Sequence, residues 1–312
     1  MPHRFFTALV TAWLCLMTYG SAWAAGAIPV WVVLSETGGA HAEAAQALRT
    51  EVEQALPGRI DWRVAHWSQF ASAVPEPQWV VVVGTAAQRG MQELFARDTT
   101  PPPQLSILVP RLAFERIADP VRLRSCSLSA VFLDQPPSRQ LELIRLALPA
   151  VRTIGMLVGA ESKGHLPGLE KAAKERDFEL AVAAVDQGGL FEALQSVLPD
   201  VGVLLALPDP TVFNSQTAAN ILTAAYRRQV PLVGFSPAYV KAGALLALYS
   251  TPAQVGTRGG EVLRQALASK VLPPPQWPRE FVVSVNQDVA RSLGFALDQS
   301  QLGEQLRQRE RP

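Results

Sequence analysis

The chain reads as an α/β protein of two doubly wound, Rossmann-like lobes joined by three crossings. Short, unbroken apolar strands alternate with segments of helical periodicity through most of its length. Such strands belong to parallel sheets covered on both faces. The alternation runs once to about residue 109 and restarts after residue 128. Its 312 residues exceed one typical core and favour two lobes of roughly 100–150 residues each.

Residues 1–24 read as a secretory signal peptide. Arg4 supplies the positive n-region, Phe5 to Tyr19 the apolar run, and Ala22-Trp23-Ala24 the small-x-small cleavage site. The alternative, an uncleaved anchor, is disfavoured because a spanning helix needs about 20 apolar residues. The mature protein is expected to begin at Ala25 and to be a soluble protein of the periplasm.

In the first run, Ile28–Leu34 is a β-branched strand and Ala40–Leu56 a helix with Ala44, Ala47, Leu48, Val52 and Ala55 at helical spacing. Ile60–Ala65, Trp79–Val83 and Leu105–Val109 are strands, and Thr85–Arg97 is a helix. In the second run, Leu128–Leu133, Thr153–Val158, Leu180–Val185, Val201–Leu207, Pro231–Phe235, Ala244–Tyr249 and Glu280–Val285 are extended. Ser138–Leu148, Gly168–Arg176, Leu190–Leu198, Gln216–Arg228, Ala253–Ala268 and Gln287–Leu293 are helical, the last closed by Gly294. Residues 299–312 are polar and charged, and are expected to form a loose tail.

Composition narrows the function. The chain has 28 basic and 27 acidic residues, and the leader holds one arginine and no acid, so the mature chain is neutral. No basic run interleaves with aromatics, so nucleic acid is not an expected partner. Cys126 stands alone in the mature chain, read as a buried small hydrophobe or else a reactive thiol.

Catalytic and cofactor motifs fail on physical grounds. Gly234-Phe235-Ser236-Pro237-Ala238 imitates a nucleophile elbow, but Pro237 has no N–H to give an oxyanion hole. All four histidines precede Ser236, the wrong order for such a hydrolase. No His or Cys pair has metal-ligand spacing, and no phosphate-cradling glycine motif is present. The expectation is therefore no enzyme, no cofactor and no metal.

The loops at strand carboxyl ends remain, where open α/β sheets bind ligands. Ser35-Glu36-Thr37 leaves the first strand, and Gly84-Thr85-Ala86 opens a helix whose free N–H groups suit a carboxylate. Ser35 and Thr85 are equally readable as plain N-caps. Asp209 and Asn214 follow a second-lobe strand, as contacts for an ammonium or hydroxyl, or as turn and cap residues. Phe235 and Tyr249, with Phe213 and Tyr239, are candidate apolar walls or core, and Ser236 is a further polar candidate.

Segments 129–149 (SAVFLDQPPSRQLELIRLALP), 203–223 (VLLALPDPTVFNSQTAANILT), 230–256 (VPLVGFSPAYVKAGALLALYSTPAQVG) and 279–295 (REFVVSVNQDVARSLGF) resemble the ABC-transporter substrate-binding protein family, in its branch with tryptophan- and tyrosine-binding members. The resemblance implies a periplasmic-binding type I fold with crossings near 128–134, 245–252 and 281–287. One lobe would comprise 25–130 plus 252–283, the other 131–251 plus 284–298. It also implies that Gly84-Thr85-Ala86 receives a ligand carboxylate; Asp134 is a further candidate contact. The sequence departs from the family pattern at Pro210, at Ser35-Glu36-Thr37, and at Pro110-Arg111, where Arg111 is either a contact for an acidic ligand or a surface residue. The implied function is a monomeric, exported clamp that closes on a small ligand, an amino acid or other small carboxylate with an aromatic or branched amino acid the first expectation, and delivers it to an ABC permease. The alternative is a sensing module acting on a membrane kinase.

Overall fold

The computed structural model describes residues 26–70, 76–185 and 189–310. The expected leader lies outside them. The first sheet holds five parallel strands in the order β2-β1-β3-β4-β5: β1 (Ile28–Leu34), β2 (Ile60–His66), β3 (Trp79–Val83), β4 (Gln104–Val109) and β5 (Leu128–Phe132). The second holds β6 (Thr153–Val158), β7 (Glu179–Ala184), β8 (Val203–Leu205), β9 (Leu232–Gly234), β10 (Leu246–Tyr249) and β11 (Val282–Val285). Its order is β11-β10-β9-β8-β6-β7, parallel except for the antiparallel β10–β11 pair.

Strand period 2 explains the two-sided burial. Val30, Val32 and Leu34 of β1 join one core, while Trp31 and Val33 join another on the opposite face. The first core is covered by helices α1 (Gly39–Ala55) and α10 (Pro252–Ser269). These two helices pack so closely that a Cβ on Gly256 would lie 2.2 Å from the carbonyl oxygen of Ala44. Glycine there lets two backbones approach. Helix α10 is started by Pro252 and by a reciprocal cap between Thr251 and Gln254.

The chain passes between the lobes three times. It leaves β5 through 133–136 to helix α5 (Pro137–Ala147), and returns from β10 through Ser250 and Thr251 to α10. The third passage, 277–281, follows a bridge of Gln276 to Val131 and ends at β11. It lies just ahead of the expected 281–287, because β11 is itself a strand of the second sheet.

Residues expected as a loose tail instead form helix α12 (Gln299–Glu310). Leu302 and Leu306 are buried in the second-lobe core, and Glu310 pairs with Arg139 of α5. One apolar stripe, with an ion pair at its end, docks a segment whose composition is polar. Cys126 is half-buried at φ +56°, so its expected place in the core is also corrected.

Candidate functional site

β1 and β3 are paired, so the loops after Leu34 and Val83 emerge side by side. The Ser35 N–H donates to the Val83 carbonyl at 2.9 Å. The Ser35 hydroxyl accepts the Ala87 N–H at 2.9 Å. Ser35 thus caps helix α2 (Thr85–Leu94), not the helix that follows it in sequence, whose N-cap is Gly38. Gly84 is the N-cap of α2, at φ +92°, and Thr85 is its first helical residue. That φ requires glycine at this turn, and a Cβ on Gly84 would also lie 2.4 Å from His41 Nε2. His41, which the sequence reading did not single out, therefore lies over the turn, with Nδ1 3.9 Å from the Glu36 carboxylate. Glu36, Thr37 and Ala86 are exposed.

Thr85 lines a cavity of about 260 Å³ together with Arg89, Ala113, Arg116, Ile117 and Glu161. Arg116 lies in the last turn of helix α3 (Arg111–Ile117) in the first lobe, and Glu161 follows β6 in the second. Their side chains form an ion pair across the cleft. The hydrogen bond between them raises the Arg116 pKa and lowers that of Glu161. Nearby, Arg111 Nη2 donates to the Gly164 carbonyl at 3.1 Å, and Leu112 packs on Gly164. The same Arg111 binds Glu115 and lies over Trp277. Position 111 therefore tethers the two lobes. Leu108, at φ +53°, sits at a register shift in β4 just before this helix. Such bulges re-aim the chain beyond a strand end.

Asp134 is buried and accepts the Arg111 N–H. Burial pushes its carboxyl up to about 6, partly offset by that hydrogen bond and by the Arg111 charge.

In the second lobe Asp209 is almost wholly buried. One carboxylate oxygen accepts from the Ser162 N–H at 2.9 Å and the Ser162 hydroxyl at 2.7 Å. The other accepts from the Thr211 N–H at 2.9 Å and the Thr211 hydroxyl at 2.6 Å. Burial opposes its ionisation, but these four bonds outweigh it and hold the carboxyl below its ordinary value. Asn214 is also engaged by its own chain. Its amide donates to the Pro210 carbonyl, and its oxygen accepts from the N–H groups of Gln216 and Thr217.

Phe235 packs against Tyr239 and Phe213, with ring centroids 4.8 and 6.4 Å away. Ser236 is the N-cap of helix α9 (Pro237–Ala242), without a side-chain cap bond. The Tyr249 hydroxyl hydrogen-bonds Ser284 at 2.9 Å, across the β10–β11 pair.

The first-lobe candidates Ser35, Gly84 and Thr85 are thus brought together, and His41 joins them. The second-lobe candidates Asp209 and Asn214 spend their polar atoms on structure. Arg89, Arg116, Glu161 and Ser162 escaped the sequence reading. No motif distinguishes a cleft arginine from a solvated one, and Ser162 lies 47 residues from Asp209. Among the described residues no group of three His, Cys, Asp or Glu could hold a metal ion.

The sequence profile of the family described as "ABC transporter substrate binding protein" matches residues 132–302. No curated protein matches the chain. Among the solved structures that resemble it in fold are three substantial matches. A ligand-free, open substrate-binding protein with adhesive properties from Clostridium difficile has a TM-score of 0.68 at 17% identity, covering 87% of this chain and 96% of that one. A conserved domain protein from Vibrio cholerae gives 0.61 at 18%, covering 89% and 98%. An ABC domain in complex with L-Trp from Streptococcus pneumonia gives 0.59 at 16%, also covering 89% and 98%.

Proposed function

The chain belongs to the ABC transporter substrate-binding protein family, and we propose that it is an exported clamp that closes on a small hydrophilic anion and presents it to a membrane permease. Members of this family bind small molecules and are not catalysts, and the reading of this chain as a non-enzyme rests on that membership.

One observation carries the reading of the site. A single cavity is lined from both lobes, by Thr85, Arg89 and Arg116 on one side and Glu161 on the other. A ligand that touches both lobes binds the closed state better than the open one, and so shifts the population towards closure. The Thr85 hydroxyl and the Thr85 and Ala86 N–H groups, which the Ser35 cap on Ala87 leaves free, would receive a carboxylate. Arg89 would add a second cation. Phe235 is packed among its own aromatic neighbours and Tyr249 is bound to Ser284, which favours a polar ligand over an aromatic one. Export rests on the leader-like residues 1–24. No described helix is long and apolar enough to cross a membrane.

Calorimetric titration of the exported protein with small carboxylates and amino acids tests this site. Thr85→Trp should fill the cavity and abolish binding while the protein stays folded. Unaltered affinity in that variant would move the ligand elsewhere.

A further inference from the structure

The three passages between the lobes meet in one buried chain of hydrogen bonds. Gln135 lies in the first passage, Ser250 in the second, and Pro278 and Glu280 in the third. Gln135 Nε2 donates to the Ser250 hydroxyl at 2.9 Å, and that hydroxyl donates onward to the Glu280 carbonyl at 2.5 Å. Arg139 closes the circuit from the first turn of α5. Its Nη1 donates to Gln135 Oε1 at 2.7 Å and to the Pro278 carbonyl at 3.0 Å. Its Nε donates to Glu310 Oε1 at 2.6 Å. Gln135 and Arg139 are both buried. The Arg139 guanidinium also lies over the ring of Phe281, at the end of the third passage, 4.6 Å from its centroid. Arg307 of α12 lies over the same ring at 5.3 Å.

We propose that Gln135 and Arg139 are positioning residues that fasten all three passages to the second lobe, and that helix α12 sets the range of lobe motion by holding Arg139 through Glu310. A buried ionic network is weak as a source of stability, but it can specify one geometry over its neighbours. Here the alternatives are different angles between the lobes. If the three passages slid independently, the lobes would twist as well as hinge. Tied at Gln135, Ser250 and Pro278, they bend together on the first-lobe side of the network. The residues there are Asp134, Thr251 and Trp277. The inference rests on reading the molecule as a clamp, but it needs no knowledge of the ligand.

The test is the distribution of distances between spin labels on the two lobes, at Glu93→Cys and Gln195→Cys in a Cys126→Ser background of the ligand-free exported protein. Gln135→Leu and Arg139→Met should replace a narrow distribution by a broad one. Glu310→Ala, which removes the acceptor of Arg139 Nε and leaves the other Arg139 bonds in place, should broaden it less. Ile221→Ala, a core truncation far from the passages, should lower the melting temperature and leave the distribution unchanged. Unchanged distributions in folded Gln135→Leu and Arg139→Met overturn the proposal. If those two do not fold, Glu310→Ala decides it, and an unchanged distribution in that variant overturns it. Broadening in a protein that binds no small molecule would preserve the hinge and refute the ligand reading instead.

Discussion

Asp209 and Ser162 are joined twice, by the backbone N–H and the hydroxyl of Ser162 on one carboxylate oxygen, at 2.9 and 2.7 Å. The contact fixes the loop after β6 against the loop after β8, and so holds the second-lobe rim of the cleft. Gly159 is part of the same arrangement. A Cβ there would come within 2.4 Å of Thr211 Oγ1 and 2.7 Å of Asp209 Oδ2.

Asp209→Ala strands the buried donors of Ser162 and Thr211, and should cost about 1–3 kcal/mol of stability. Urea denaturation at pH 7 measures it. The carboxyl is held below its ordinary value, so its contribution is present above the unfolded pKa and is lost as pH falls through the lower folded value. Acid unfolding should therefore be less steep in Asp209→Ala than in the parent protein.

Gly159→Ala should destabilise by about 1–3 kcal/mol, the usual cost of forcing an extra group into a packed site. Gly256→Ala, whose new Cβ meets backbone and not a movable side chain, should cost at least as much. Melting curves of the two variants check both expectations.

Asp134 and His165 should pull stability in opposite directions between about pH 4 and 6. Burial raises Asp134 from 3.8 to about 6, so its contribution is complete below the unfolded value and is lost as pH rises through the folded one. Burial lowers His165 from 6.5 to about 4, helped by the Arg111 charge, so its contribution is present above 6.5 and is lost as pH falls. Relative to the parent, Asp134→Asn should gain stability as pH rises across this window, by at most about 1.4 kcal/mol per pH unit. His165→Gln should gain as pH falls. Urea titrations at several pH values read both slopes.

The Arg116–Glu161 pair spans the cleft, yet its side chains are 54% and 34% exposed. Arg116→Gln should change stability by less than about 1 kcal/mol, because solvent screens exposed pairs. Its effect should show instead in the distance between the lobes, as more of the open state.

The fold was legible where burial is two-sided. The bounds read for β1, β3 and β6 are those observed, because Val- and Ile-rich runs such as Trp79–Val83 have few alternatives to a central strand. Helix α12 was not, because two leucines one turn apart carry its docking and ten other residues argue for solvent. At the site, the Gly84-Thr85 turn was legible from its place after a strand. The engagement of Asp209 was not, since a carboxylate after a strand reads alike whether its donors come from a ligand or from Ser162. The network at Gln135 and Arg139 joins residues 115 and 171 positions apart, a distance over which local pattern carries no information.

The most direct measurement is thermal unfolding of the ligand-free exported protein against a panel of small carboxylates, amino acids, sugars and nucleosides, with small-angle scattering on any hit. A ligand at 100 times its Kd adds about 2.7 kcal/mol, a rise of several degrees in Tm. The predicted result is that one class of small anion raises Tm and makes the particle more compact. No shift with any compound, in protein shown to be folded and ligand-free, would contradict the account.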